Sequence, residues 1–410
     1  MKQVYCDKTQ CCGCAACVCV CSRGAIRMEE DVCGFRYPKI DAERCVNCGL
    51  CEKACPFITP VQRQTAQTAY AAQNTDAQSL SRSASGGVFA ALAAAFLEQG
   101  GAVCGAAMEK RDGQMTVRHL VIDRVELLSR LQGSKYVQST MDEAWPEMER
   151  VLKGGRRLLF SGTPCQVAAV KNRFRRFEDQ LFCLDIICHG VPNLRMFNEY
   201  LALTGKRAGL EIDEAVFRDK SFGWGIKGVL RGRCEGDHSG ELPFNKETSS
   251  YYQLFLDGEI YRDSCYACPF ANTERPGDLT AGDYWGIDRF DTALLAQNGG
   301  PLDRRRGVSC LLVNTPKGEQ LLASCGEKLD RYPVELGHVV AGNTQLRQPS
   351  KHTALRNKAF RQYEKRGYAG VERLLFWPML KKKWKRRIAR VLPKGLKTVL
   401  KKIRKILRGK

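Results

Sequence analysis

Eight cysteines between residues 11 and 55 fall into two copies of one spacing. Cys11, Cys14, Cys17 and Cys21 read Cys-x2-Cys-x2-Cys-x3-Cys, and Cys45, Cys48, Cys51 and Cys55 repeat it, with Pro56 closing the second copy. Three thiolates at i, i+3 and i+6 of a tight loop cap three irons of a cubane, and the fourth ligand comes from elsewhere in the chain. Each run therefore lends its last cysteine to the other group. One 4Fe-4S cluster is expected on Cys11, Cys14, Cys17 and Cys55, and a second on Cys45, Cys48, Cys51 and Cys21. Such centres move single electrons. Structural zinc is the alternative, but zinc sites usually present two separated pairs rather than triplets. Ser22 stands where the first run would carry proline, and Cys12 and Cys19 are surplus thiols, expected to pack as small apolar side chains.

A second constellation lies downstream. SGTPCQ opens a helix at Pro164 directly after a strand, so its amides point outward at a helix N-terminus. CHG at 188–190 leaves a neighbouring strand at the same edge of the sheet, where ligands of open α/β sheets bind. Cys165 and Cys188 are thus expected close together, and SCYACPF adds the pair Cys265 and Cys268 before Pro269. If the four thiols converge they hold a third cluster. If they do not, two free thiols and an unrelated pair remain.

The elements that must position these residues follow from periodicity. Residues 1–60 form a small two-cluster unit of α+β type, with strands IRMEE and YPKID on either side of a Gly34 turn. Metal takes the place of the core that so short a piece lacks. Residues 61–80 read as a linker rich in Gln, Ala and Thr. An α/β domain over 81–345 follows. It has a helix VFAALAAAFLEQ stopped by Gly100 and Gly101, strand-like AVCGAAM and TVRHLVID, a helix over 141–153, and then strand RLLFSG, helix PCQVAAVKNRF and strand LFCLDII. Strand, helix and strand within about 30 residues make a parallel crossover, so the sheet is partly parallel. The 410 residues, 44% apolar, suit a globular chain with a real core. No apolar run follows Met1, so no signal peptide is expected. Metal thiolates and free thiols together argue for a reducing cytoplasm. No apolar run reaches the ~20 residues needed to span a bilayer.

The segments SASGGVFAAL, GSKYVQS, LLFSGTPCQV, CHGVP, SCYACPF and GDLTAGDYWGID, in this order behind a two-cluster ferredoxin module, resemble the coenzyme F420 hydrogenase/dehydrogenase beta-subunit family over residues 1 to about 290. The resemblance implies a flavoprotein oxidoreductase that holds FAD, or FMN in its place, together with a 4Fe-4S cluster in the α/β domain. It implies Cys165, Cys188, Cys265 and Cys268 as ligands of that third cluster. Members that resemble this chain also occur in bacteria lacking the deazaflavin, often near surface-polysaccharide genes, so the hydride carrier or small-molecule substrate is left open. A flavin takes hydride as two electrons and a cluster takes one, so the pair converts one kind of transfer into the other. The other reading is an electron-transfer subunit whose catalysis lies on a redox partner protein.

Several residues support a flavin site. Ser85, Gly86 and Gly87 at a helix start offer donors to a diphosphate. Ser134 and Lys135 extend this set, Tyr136 is placed to stack on a ring, and Gly162, Thr163, Pro164 and Gln166 come from the SGTPCQ turn. The structural alternatives are a capped helix, a solvated lysine and a core tyrosine. No GxGxxG follows a first strand, so a nicotinamide site of the usual kind is not encoded. His189, as a proton relay or a donor to cluster sulfur, and Asp185 and Lys220 are the catalytic candidates, against plain structural roles. Arg218 and Trp224 join Lys220 in a cationic and aromatic segment suited to an anionic substrate or cofactor. Asp278 and Asp283 read as turn formers.

Residues 346–410 read as a basic helical tail. Residues 381–410 hold fifteen Lys or Arg and no acid, against a net charge of +21 for the whole chain. Pro393 and Gly395 divide the tail into two short amphipathic helices, with Trp384 and an apolar stripe suited to an anionic membrane surface at the inner face of the membrane. Nucleic acid is the weaker rival partner, and a solvated charged face the plain alternative.

Overall fold

In a computed structural model, residues 4–391 are described apart from residues 6, 235 and 237, with side chains described as far as residue 375. The first unit is built on two equivalent loops. Gly13 (φ +68°) and Ala15 (φ +60°) flank Cys14, and Asn47 (φ +55°) and Gly49 (φ +74°) flank Cys48. Left-handed residues on both sides of the second cysteine of each run curl the backbone the same way twice. Only glycine adopts that conformation freely, so Ala15 and Asn47 are held there by their surroundings. Short helices, Ala16–Cys19 and Leu50–Ala54, leave each loop, and strands β1 (Ile26–Glu30) and β2 (Arg36–Ile40) pair antiparallel as the expected hairpin. Among the described residues the unit's own apolar cluster is Val4, Cys17, Ile26 and Ile40, its other buried apolar side chains joining the cores of the α/β domain.

The short β3 (Gln64–Thr65) precedes β4 (Thr68–Asn74), β5 (Ala102–Arg111), β6 (Gln114–Ile122), β7 (Leu158–Gly162) and β8 (Leu181–Ile186). Strands β9 (Leu210–Val216), β10 (Lys227–Cys234) and β11 (Ser239–Asn245) form a separate antiparallel sheet. After β12 (Glu274–Arg275), which pairs with β3, come β13 (Leu279–Asp283), β14 (Ser309–Val313) and β15 (Leu329–Val334). The main sheet has eight strands in the order β15-β4-β14-β13-β8-β7-β5-β6, with β5, β7, β8 and β13 parallel to their neighbours in that run and the outer pairings antiparallel. Strand β7 is apolar and buried at Leu158, Leu159 and Phe160, as a strand covered on both faces must be. The following helix, Pro164–Arg173, starts with a capping box between Thr163 and Gln166 and with Pro164 in its first turn.

Two expectations about domain limits need correction. The stretch 61–80 is no linker, because β4 lies inside the sheet between β15 and β14. Its sequence TAYAAQN has little β preference, and pairing on both edges overrides that. Nor does a separate tail begin at residue 346. Phe360, Tyr363, Tyr368, Val371 and Leu375, on the helix Ala354–Val391, are buried in the aromatic core that also holds Phe197, Tyr200, Phe217, Tyr251 and Tyr252. Helix Leu194–Ala208 is packed against this segment, with Tyr363 OH donating to Glu199 (2.9 Å). The expected division at Pro393 and Gly395 lies outside the described residues, as do the side chains around Trp384. Among the described residues no helix is long and apolar enough to cross a membrane.

The cysteine unit sits against the α/β domain through hydrogen bonds to its backbone. Trp145 Nε1 donates to the Cys14 carbonyl (3.0 Å), Gln138 Nε2 to that of Cys12 (2.8 Å), Arg262 Nε to that of Cys11 (2.6 Å) and Asn172 Nδ2 to that of Thr59 (2.6 Å).

Candidate functional site

The carboxyl ends of the parallel strands open on one cavity of about 430 Å³. Ser161 and Gly162 of β7, Ile186 and Ile187 at the end of β8, and Gly282 and Asp283 of β13 line it, with Gly105 and Ala106 of β5 beside them. Its size and mostly apolar walls are those of a small-molecule or cofactor site. Ser85, Gly87, Ser134, Lys135, Tyr136, Gly162, Thr163, Pro164, Gln166 and His189 all line it, as do Cys165, Cys188, Cys265 and Cys268.

The downstream thiols converge. Burial raises Cys188, and Cys265, Cys165 and Cys268 raise it further, each within electrostatic reach. Burial likewise pushes Cys265 up to about 12, with Cys165 and Cys268 as neighbours. The two separated segments therefore meet, and the picture of an unrelated Cys-x2-Cys pair is set aside. In the first unit, burial raises Cys17, and Cys14, Cys11 and Cys55 add to it. Cys55 stands among the thiols of the first run, the crossed arrangement that the spacing implies. Cys21 and Cys45, Cys48 and Cys51 line one small cavity of about 30 Å³. Among the described residues no three His, Cys, Asp or Glu side chains close to the spacing of a single-ion site. Each of the three sets gathers four free cysteines, and the chemistry of all three donor sets suits iron–sulfur clusters.

Cys12 does not behave as mere apolar filling. Its thiol lies within hydrogen-bonding reach of both Cys14 and Cys165, with one S–H to give to either. That contact is the first cause lowering Cys14. It also leads in holding Cys165 down at about 7, with Thr163 and the amides at the helix start helping against burial. One sulfur thus connects two of the thiol groups. Cys19, by contrast, packs against the core around Trp145 and Val170, as expected.

Several expected donors are already engaged. Gly86 N donates to Ser309 Oγ (2.9 Å), and a side chain there would strike the Ala72 carbonyl, so Gly86 serves the sheet and does not line the cavity. Ser85 Oγ donates to the Val308 carbonyl (2.9 Å). Gln166 spends its amide on Thr163 (3.1 Å to its N) and Ser139 Oγ (3.1 Å). Tyr136 stacks on Phe255 at 4.2 Å, so one face of its ring is already covered. Lys135 Nζ donates to the Leu131 and Gln132 carbonyls (2.9 and 2.7 Å), and burial pushes its pKa down to about 7.

Two catalytic candidates are misplaced for the cavity. Asp185 is fully buried on β8, where it pairs with Arg275 at 2.6 Å and accepts from Gly277 N (2.9 Å). Strand alternation turns it away from the mouth. Lys220 Nζ is tied to the carbonyls of Leu80 (2.8 Å) and Ser85 (2.6 Å) and to that of Arg306, so it pins loops together. His189 does face the cavity, and burial depresses its pKa.

Other lining residues escaped the sequence. Asp283 is no turn former. It takes two bonds from Arg218 (2.8 and 2.9 Å) and one from Trp224 Nε1 (2.7 Å), and Trp224 stacks on Trp285 at 5.0 Å. Asp278 is likewise a buried acceptor, taking Cys183 N at 2.8 Å. His119, opposite Ala106 on β6, is 1% exposed. Its Nε2 lies 3.2 Å from the Ser161 carbonyl, while Nδ1 is buried without a partner. Burial pushes it down to about 4, so the ring is neutral, with Nε2–H donating to Ser161 and Nδ1 left as a bare acceptor. An unmet buried acceptor in a cavity wall fits a bound group with N–H or O–H donors. The alternation of TVRHLVID put His119 on an inward face, but nothing local marks it as a cavity residue.

The coenzyme F420 hydrogenase/dehydrogenase beta-subunit N-terminal and C-terminal families match residues 69–145 and 155–331, and a 4Fe-4S dicluster domain matches residues 10–58. Among solved structures, a chain of the F420-reducing [NiFe] hydrogenase complex from Methanosarcina barkeri, studied by xenon derivatization, aligns at 14% identity and a TM-score of 0.43. The alignment covers 76% of this chain and 92% of that one. No curated protein sequence matches.

Proposed function

The chain belongs to the coenzyme F420 hydrogenase/dehydrogenase beta-subunit family and carries a 4Fe-4S dicluster domain, and on that premise we propose that it is an iron–sulfur flavoprotein oxidoreductase. The cavity at the carboxyl edge would hold the flavin, and the three cysteine groups would hold single-electron carriers between it and the surface. The observation that carries this reading is the Cys12 thiol, which stands within reach of both Cys14 of the first unit and Cys165 of the cavity wall. Cys165, Cys188, Cys265 and Cys268 hold the cluster beside the cavity. Cys11, Cys14, Cys17 and Cys55 hold the middle one, and Cys21, Cys45, Cys48 and Cys51 the outermost.

Bound flavin supplies two-electron hydride chemistry, and the clusters supply single-electron steps. The chain's own residues do the rest. His119 Nδ1 accepts a hydrogen bond from the bound ring or its ribityl chain. Lys135, in the cavity wall, balances charge on the cofactor. His189, neutral and facing the cavity, takes or returns the proton that accompanies hydride. Ile186 and Ile226, each 41% exposed and lining the cavity, together with Trp285 and the Trp224 stacked on it, make an apolar approach for a planar hydride carrier. At the far end, the exposed Cys48 and its neighbours Val46 and Leu50 favour a redox partner protein as the one-electron exchanger.

Anaerobic purification with metal and flavin counts is the test. About twelve irons and one flavin per chain are expected, with bleaching by one of nicotinamide, ferredoxin or deazaflavin donors. Zinc, or no metal and no flavin, in an oxygen-free preparation would end the redox reading.

A further inference from the structure

Four arginines of the described residues are buried: Arg118, Arg218, Arg262 and Arg275. Three meet a carboxylate. Arg118 pairs with Glu109 (2.8 Å), Arg218 with Asp283 (2.8 Å) and Arg275 with Asp185 (2.6 Å). Arg262 is 0% exposed and, among the described residues, makes no ion pair with Asp or Glu. Its guanidinium donates to neutral oxygens, those of the Cys11 carbonyl (2.6 Å), the Arg36 carbonyl (2.6 Å) and Gln138 Oε1 (3.3 Å), and lies over the Tyr37 ring at 4.1 Å. The Phe35 ring lies at 5.6 Å, and the one contact able to carry a negative charge is with sulfur, Nη2 sitting 3.7 Å from Cys11 Sγ.

A guanidinium stays protonated even when buried, and burying it without an opposite charge is strongly unfavourable. The partial charges of three carbonyl-type oxygens and two ring faces offset only part of that. The missing anion has to lie where the free contact points, at the Cys11 sulfur. The loop is shaped for this contact. Gly13, left-handed at φ +68°, has no room for a side chain, because a Cβ there would come within 2.9 Å of Arg262 Nη1 and 2.8 Å of Gln138 Nε2.

We propose that Arg262 is the fixed counter-ion of the cluster on Cys11, Cys14, Cys17 and Cys55, and that its charge raises the reduction potential of that cluster. The proposal rests on the cluster assignment above. Reduction adds one electron and no proton to a group that is already anionic, so a positive charge held beside one ligand sulfur favours the reduced form. Arg262 is three residues before Cys265 and lines the cavity wall. The same side chain therefore joins the segment that carries one cluster's ligands to the loop that carries another's, and it is a tuning residue rather than a catalytic one.

The experiment is a dithionite titration of the anaerobically purified full chain, followed by electron paramagnetic resonance, for the wild type and three variants. Arg262→Gln removes the charge. Arg262→Lys keeps it. Gln138→Glu leaves Arg262 in place and sets a carboxylate against it. For one cluster signal, Arg262→Gln and Gln138→Glu are expected to weaken one-electron reduction at least tenfold, about 59 mV downward. Arg262→Lys is expected to stay near the wild type, the signal of the cluster on Cys165, Cys188, Cys265 and Cys268 to move less than the first because Arg262 also reaches Cys265, and that of the outermost cluster to hold still. If Arg262→Gln fails to keep iron, Gln138→Glu decides alone. Unmoved midpoints in iron-loaded Gln138→Glu, or an equal shift in Arg262→Lys, overturn the counter-ion role while leaving the clusters standing. Wild-type chain without iron overturns the cluster assignment itself.

Discussion

The two cysteine runs share a spacing and a backbone, with left-handed residues at matching places around Cys14 and Cys48, yet they end in opposite surroundings. The first is roofed by the α/β domain. Trp145, Gln138 and Arg262 bond its carbonyls, and Cys12 links it onward to Cys165. The second faces outward, with Cys48 exposed beside Val46 at 60% and Leu50 at 43% exposure. Spacing builds the ligand loop, and what covers the loop decides whether it serves as an inner relay or an outlet.

The bluntest way to break this comparison is to remove the metal from both sites. A unit whose own apolar cluster is four of the described residues cannot hold its fold alone, and metal binding in so small a piece is folding energy. Chelation under oxygen is expected to open residues 10–58 to hydrogen exchange while β7 and β8 stay protected. Retained protection across both cysteine loops in the iron-free chain would mean that the α/β domain, not metal, supports them.

A second, smaller effect separates Arg262 from Arg275. Asp185 neutralises Arg275 inside the sheet, so Asp185→Asn leaves a bare buried charge and should cost about 3–5 kcal/mol. Denaturant titration reads that loss. In the remaining folded protein the cluster midpoints and the flavin content should match the wild type. A changed flavin content at preserved stability would restore Asp185 to the cofactor site.

These contrasts also show which parts were legible in the chain. The cysteine spacing, the hairpin either side of Gly34 and the strand–helix–strand unit around Cys165 are local patterns, and local patterns survive in sequence. The contacts of Arg275 with Asp185, Arg262 with Cys11 and Arg218 with Asp283 are not local. Each joins residues more than sixty positions apart, and no period or propensity says which cation will meet which anion. The same holds for β4, whose alanine-rich sequence reads as a linker until pairing on both edges makes it a strand. It holds too for Phe360 and Tyr368, which look like part of a basic tail until the aromatic core is assembled. Cys12 was legible as a surplus thiol, but only the docking of the two units reveals its two sulfur neighbours.

The cavity provides a third setting, with His119 buried in its wall and uncharged. Burial, aided by Lys135 and opposed by the Ser161 carbonyl, brings His119 from 6.5 to about 4. The unfolded chain takes up the proton near 6.5, whereas the folded chain resists until about 4. Stability is therefore full above 6.5 and falls as pH drops through that window, by about 3 kcal/mol at most. Urea midpoints of wild type and His119→Phe should diverge between pH 7 and pH 4, with only the wild type carrying this part of the loss. Parallel curves would place the ring in contact with solvent or with an acid.

The gentlest change probes the outlet. Val46 and Leu50 stand in water beside Cys48, where they gain little by being apolar, and replacing exposed side chains usually moves stability by less than about 0.5 kcal/mol. Val46→Ser with Leu50→Ser should therefore leave melting, iron content and cluster midpoints alone. Exposed apolar groups around a redox centre instead lower the cost of excluding water when another protein docks. The double variant should slow one-electron exchange with a protein acceptor several-fold while exchange with a small soluble dye stays as it was. Equal slowing with both acceptors would place the defect in the cluster rather than in docking. No slowing with either would move the outlet away from Cys48, and the exposed copy would then differ from the buried one in solvent contact alone.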